Sequence, residues 1–266
     1  MSGLALIADI QHLLAAASGV VTGFVLGLVG GGGSILAVPL MVYVVGVASP
    51  HLAIGTSALA VAANALSGLA SHAGARNVNW RCGGMFAVAG VAGALAGSTV
   101  GKAVDGERLL ALFALLMLVV AALMWRGRAD SGIEGVTCNR ENLPKVTSFG
   151  FGTGALSGFF GIGGGFLIVP ALIASTGMPI GRAIGTSLVA VSAFGLTTAL
   201  NYAASGMLNW GLAIAFILGG IAGSVLGTLL SRRLAERKGT LNTLFAGLIV
   251  LVALYMLFRS WPALIG

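Results

Sequence analysis

The sequence predicts an all-α, polytopic membrane protein made of two copies of one five-segment unit. Three observations carry that expectation. Hydrophobic residues form 58% of the 266 and charged residues 8%, with a mean hydropathy of +1.03. A soluble domain carries about 25% charged residues, so this chain has too few to cover a water-facing surface. Its apolar runs reach membrane-spanning length, about 20 residues. Short motifs also recur in order. Gly27, Gly30 and Pro39 return as Gly158, Gly161 and Pro170, each 131 positions on. "AIGTS" at Ala53–Ser57 returns at Ala183–Ser187, and "NW" at Asn79–Trp80 returns at Asn209–Trp210, each 130 positions on.

Apolar segments of the first half cover 8–29, 33–48, 52–74, 82–101 and 108–125. Those of the second cover 148–160, 164–177, 182–204, 210–230 and 240–259. The expected organisation is a first transmembrane repeat over 1–128, a cytoplasmic linker over 129–146 and a second repeat over 147–266. The opening "MSGLALIADIQHLLAAASG" lacks a basic leader region and reads as a first helix, not a cleaved signal. Only glycine separates the first two segments of each half, in "GLVGGGGSILAVP" (Gly27–Pro39) and "GFFGIGGGFLIVP" (Gly158–Pro170). Glycine costs about 1 kcal/mol against alanine inside a helix. Consecutive glycines at Gly30–Gly33 cannot share one helical face, so a helix break is expected there. Gly19, Gly23 and Gly27, their copies Gly150, Gly154 and Gly158, and Gly93, Gly97 and Gly101 are spaced four apart and read as helix-contact faces. Trp80, Trp125, Trp210 and Trp261 fall near segment ends, where aromatic belts form.

Loop charges orient the halves. Arg76 and Arg81 precede the fourth segment of the first half, and the loop after it is neutral overall. In the second half the loop before that segment is uncharged, and the one after it carries Arg232, Arg233, Arg237 and Lys238 against Glu236. Basic loops lie inside, so matching segments are expected to cross in opposite directions. The linker, with Arg126, Arg128, Arg140 and Lys145, falls inside too, which gives an odd number of crossings per half and inverted repeats. Whether the first two segments of each half cross fully or form a re-entrant hairpin stays open.

The net charge of +7 and pI near 10.3 do not point to nucleic acid, because the basic residues are scattered between apolar runs. Cys82 and Cys138 have no metal-ligand spacing and read as unpaired thiols. No Lys-Ser/Thr follows the glycine run, which excludes a P-loop, and no strand pattern precedes it. No carboxylate pair, metal cluster or nucleophile with a base falls in a segment, so neither an enzyme nor a cofactor is expected.

The acidic residues set the sign of the solute. Asp9, Asp105, Glu107, Asp130, Glu134, Glu141 and Glu236 all lie near the terminus or in loops. A cation carrier places such groups in its spans. The polar groups in or beside these spans are instead Ser34, Thr56, Ser57, Asn64, His72, Thr186, Ser187, Ser192 and Asn201. Inverted repeats with broken helices place a transport site at the midplane. A helix starting there presents N–H groups without intrahelical partners and the positive end of its dipole, which favours an anion. The candidate substrate-binding residues are Gly31, Gly32, Gly33 and Ser34 in the first break and Gly163, Gly164 and Gly165 in the second. Thr56, Ser57, Thr186 and Ser187 would add hydroxyls. For isolated hydroxyls the alternative is bonding to the carbonyl four residues back. His51 reads as an interface residue, while His12 and His72 find no histidine at the matching positions.

A glycine break followed by proline, then "AIGTS", then "NW", in two copies, resembles the sulfite exporter TauE/SafE family of membrane permeases. The likeness covers nearly the whole chain apart from the linker and termini. It implies a multi-pass carrier of small sulfur-containing anions, such as sulfite or organosulfonates, in the bacterial inner membrane. The expected partners are a small anionic substrate and the lipid bilayer, and a homo-oligomer stays open. "GGGG" departs from "GIGGG" in the second copy, so the two half-sites need not be equivalent. The expected function is secondary transport by alternating access. The alternative is an anion or small-solute channel that uses the same helix ends as a filter.

Overall fold

The structure, a computed structural model, describes residues 3–29, 31–126, 138, 142–233 and 238–265. The helices of the first half are α1 (Gly3–Val29), α2 (Ala37–Tyr43), α3 (Pro50–Gly74), α4 (Trp80–Ala103) and α5 (Gly106–Arg126). Those of the second are α6 (Leu143–Phe160), α7 (Gly165–Thr176), α8 (Ile180–Ala203), α9 (Trp210–Arg233) and α10 (Lys238–Ile265). A 3-10 helix, Gly31–Leu36, leads into α2. Among the described residues, five helices are long and apolar enough to cross a membrane. Each expected segment corresponds to one α-helix. Most of the linker, with Arg128 and Arg140, lies outside the described residues, as do Glu236 and Arg237.

The recurring "NW" is a helix start. Asn79 caps α4 by accepting from the Cys82 N–H at 3.2 Å, and Asn209 caps α9 by accepting from the Leu212 N–H at 3.1 Å. Trp80 and Trp210, the first residues inside, are 58% and 61% exposed, as suits rings in an interfacial belt. Ser49 caps α3 ahead of Pro50, and Asp105 caps α5 by accepting from the N–H groups of Glu107 and Arg108.

Glycine faces join the two halves. A Cβ on Gly19 or Gly23 of α1 would strike the backbone of Phe216 or Gly220 on α9. Gly219, Gly223 and Gly227 of α9 meet Ala16, Val20 and Phe24 in return. The same seam recurs where Gly93, Gly97 and Gly101 of α4 meet Phe151, Ala155 and Phe159 of α6, and Gly150, Gly154 and Gly158 meet Phe86, Gly90 and Ala94. Backbones in such contact exclude any side chain between them.

Residue numbers rise together along both seams, so α1 runs parallel to α9, and α4 parallel to α6. In contrast, α3 and α8 are antiparallel: Gly55 meets Tyr202, Ala62 meets Gly195, Gly68 meets Leu188, and His72 meets Gly185. α3 runs with α9, since Thr56 meets Asn209 and Asn64 meets Gly220. α8 runs with α4, since Asn79 meets Thr186 and Lys102 meets Asn201. Helices that match by the sequence offset therefore point in opposite directions. Two parallel triads result, α1–α3–α9 and α4–α6–α8, and each contains helices from both halves.

Each broken arm begins and ends at one end of the molecule. α1 starts near α9's start, where His12 meets Gly211, and descends until Phe24 meets Gly227. The chain then returns through α2 to Pro50, beside Gly106 at α5's start. α6 and α7 repeat this hairpin from the opposite end.

The cysteine expectation is corrected. Cys82 and Cys138 form a disulfide, with Cα atoms 5.4 Å apart, and both are buried. α6 runs parallel along α4, which returns the segment before α6 to α4's start, where Cys82 sits. Linear spacing carries no trace of that return.

Candidate functional site

The second break has the clearest geometry. α6 ends at Phe160, and Gly161, Gly163 and Gly164 take left-handed backbone with φ of +68°, +63° and +67°. Only glycine adopts this conformation without strain. The first bonds of α7 run from the N–H groups of Leu167 and Ile168 to Gly164 O, at 2.9 Å each. The N–H groups of Gly163, Gly164 and Gly165 have no acceptor of ordinary geometry among the described residues, and all three residues are buried. Orphan amides at a helix start are anion ligands when a cavity admits one.

Ser157 adds a hydroxyl. It is fully buried, its Oγ has no partner, and a Cβ on Gly164 would lie 2.9 Å from that oxygen. Ser157 is absent from the sequence-derived set because serine one turn before a helix end is ordinary. Its unsatisfied state shows only in three dimensions. The break is walled by α3, for Gly161 abuts Ile54 and Gly163 abuts Val61, which bracket Thr56 and Ser57.

The first break differs. Gly31–Leu36 keep a 3-10 helix, and Gly33 packs on the backbone of Val25 and Leu26. Ser34 is fully buried. Gly31 and Gly32 belong to the same 3-10 helix, which packs against α7, the helix that starts at the second break.

The repeated hydroxyls are held in reciprocal bonds. Thr56 Oγ1 accepts from the Asn209 N–H at 3.0 Å, and Thr186 Oγ1 accepts from the Asn79 N–H at 2.9 Å. Each pair is the other shifted by 130 residues with the halves exchanged, the signature of a two-fold relation. Ser57 donates to Ile54 O at 3.1 Å, and Ser187 donates to Ile184 O at 2.8 Å. All four residues are fully buried. The recurrence of "GTS" thus has a fold-level cause, since threonine in each half fixes the capped start of a partner helix. The serine oxygens keep acceptor capacity. Ser192 also bonds back along its helix, donating to Leu188 O at 2.7 Å. Asn64 is 1% exposed, and both its amide atoms lack partners. It presses on Gly220, the place where Phe194 presses on Gly90 in the other half. Among the described residues no cluster of three metal-ligating side chains occurs.

Buried anion-type donors between broken helices in an apolar bundle define a membrane transport protein, and comparison with known proteins agrees. A "Probable membrane transporter protein" of Xylella fastidiosa (strain Temecula1) is 53% identical over 250 residues, covering 94% of this chain and 96% of that one. "Probable membrane transporter protein YunE" of Bacillus subtilis is 26% identical over 263 residues, covering 91% and 96%. A further protein so described, from Methanocaldococcus jannaschii, is 24% identical over 256 residues, covering 90% and 94%. The family model described as "Sulfite exporter TauE/SafE" matches residues 15–256, and the chain belongs to that family. No solved structure matches it.

Proposed function

We propose that the protein is a secondary transporter of a small anion, a sulfur oxyanion or organosulfonate of the sulfite kind, in the bacterial inner membrane. One observation carries the reading most: three buried amides lie at the second break without acceptors, and the unpartnered Ser157 hydroxyl adjoins Gly164 there. An anion supplies acceptors to all of them. Among the described residues, the acidic side chains Asp9, Asp105 and Glu107 are exposed, so none of them competes at this buried site. In the first break, the amides of Gly31 and Gly32, which precede the first bond of the 3-10 helix, would add donors. Ser57 and Ser187 line the space between, while Thr56 and Thr186 hold the geometry.

Alternating access is the mechanism we infer, and the packing limits how it could proceed. Rocking one whole repeat against the other would tear the α1–α9 and α4–α6 seams. Rocking of the two mixed triads would instead have to re-form the α3–α8 contact, which is more extensive than the contact of α3 with α9. The basic Arg76–Arg81 loop and the uncharged α8–α9 loop support an orientation with the first in the cytoplasm and the second outside. Cysteine labelling of intact cells should therefore reach a probe at Ser205 and miss one at Arg237. Equal labelling of both contradicts the orientation.

The test of function is uptake by proteoliposomes holding the purified protein, with radiolabelled sulfite outside. A carrier shows saturable exchange and is accelerated by sulfite on the far side. Unsaturable flux without exchange indicates a channel, and no flux above empty vesicles of sulfite or an alkanesulfonate removes the reading.

A further inference from the structure

A second constellation lies at the C-terminal ends of α4 and α8. Lys102 Nζ donates to Asn201 O at 3.1 Å, Asn201 Oδ1 at 2.9 Å and Ser205 Oγ at 2.8 Å. All three acceptors are neutral, so these bonds hold the cation without cancelling its charge. Asn201 Nδ2 donates to Ser98 Oγ at 2.6 Å and Thr99 Oγ1 at 3.1 Å, which fixes the cradle. Lys102 Nζ stands 5.9 Å from the Tyr202 ring centroid, and the His51 ring lies 6.3 Å from that same ring. Tyr202 is fully buried and its hydroxyl has no partner. His51 Nδ1 is likewise buried without one.

A buried hydroxyl left unsatisfied is costly. Here two such atoms sit on neighbouring rings beside an uncancelled positive charge. The two-fold relation does not require this, because the matching positions hold His72, Gly181 and Arg232. The group therefore belongs to one end of the molecule. Tyr202 also shares an apolar cluster with Ile54, Ile162 and Phe166, which surround the second break. It stands between that break and the end where α3 begins.

We propose that Lys102, Tyr202 and His51 form a second binding site for a small anion, through which solute reaches the break. The Tyr202 hydroxyl donates to the anion, His51 donates in its Nδ1–H tautomer, and Lys102 supplies charge from its fixed cradle. The inference takes from the proposed function only the class of ligand.

The chain has three tyrosines, so the full-length protein labelled with 3-fluorotyrosine gives three fluorine resonances in detergent. Tyr43→Phe and Tyr255→Phe identify the Tyr202 signal by elimination. Titration with sodium sulfite should shift the Tyr202 signal saturably and leave the other two in place. Lys102→Gln should raise the half-saturating concentration roughly tenfold, about the effect of one partly screened charge. Lys102→Arg should restore it, which separates loss of charge from misfolding. A Tyr202 signal that does not move, or one that titrates identically in Lys102→Gln, overturns the site. A wild-type protein that titrates at Tyr202 yet carries no anion keeps this site and removes the transport reading. One that carries sulfite with an unmoved Tyr202 signal does the reverse.

Discussion

Gly164→Leu is expected to abolish anion flux while the protein still inserts at wild-type amounts. Gly164 has φ +67°, a backbone region costing of order 1–3 kcal/mol for other residues. A Cβ there would stand 2.8 Å from Ser157 Cβ and 2.9 Å from Ser157 Oγ. Leucine therefore drives the turn toward continuous helix or displaces Ser157. Either outcome removes the orientation of the three amides. Gly32→Leu in the first break is expected to act in the same direction. Gly46→Ala is the control: Gly46 has φ +77°, but a Cβ there meets nothing within 4 Å. It suffers backbone strain away from the site and should keep flux. The readouts are proteoliposome uptake and the amount of protein in the membrane fraction. Normal flux in Gly164→Leu would reduce the glycine to packing.

The second large effect is electrostatic. Ser157→Asp places a carboxylate beside the amides that the anion needs, whereas Ser157→Asn places a neutral group of nearly the same size. Like charges in contact at low effective dielectric repel by several kcal/mol. Half-saturation of uptake should rise roughly a hundredfold in the aspartate variant and only a few-fold in the asparagine one. Falling pH protonates the new carboxyl, so the block should relax toward acid and deepen toward alkali. Isethionate is the suitable solute, because its sulfonate stays ionised across that range. Equal half-saturation for the two variants at alkaline pH places the anion elsewhere.

Much of the fold was legible because its causes are local or periodic. "NW" recurs because each asparagine caps a helix whose tryptophan meets the interface. The glycines spaced four apart recur because two helix pairs touch backbone to backbone. Those motifs do not reveal the partner. The seams join α1 to α9 and α4 to α6, so the compact triads mix the halves that the sequence separates. The Cys82–Cys138 bond escaped for a related reason: it depends on the path of α6 along α4.

At the candidate site the glycines were legible and the hydroxyls less so. "GTS" repeats because Thr56 and Thr186 hold partner helices, a role that spacing cannot distinguish from ligand contact. Ser157 and Tyr202 carry no motif at all. They stand out because their buried oxygens find no partner, and burial and hydrogen bonding are properties of the folded chain.

The most direct test of the anion site is to see an anion in it. Selenite shares the pyramidal shape of sulfite, is likewise an anion at neutral pH, and carries an anomalously scattering atom. Crystals of the protein grown with selenite should show an anomalous peak whose oxygens lie within about 3 Å of the Gly163, Gly164 and Gly165 amides and Ser157 Oγ. Ser157→Asp crystals should lose that peak. A peak elsewhere, with those amides still unoccupied in a protein that carries sulfite, would contradict the account.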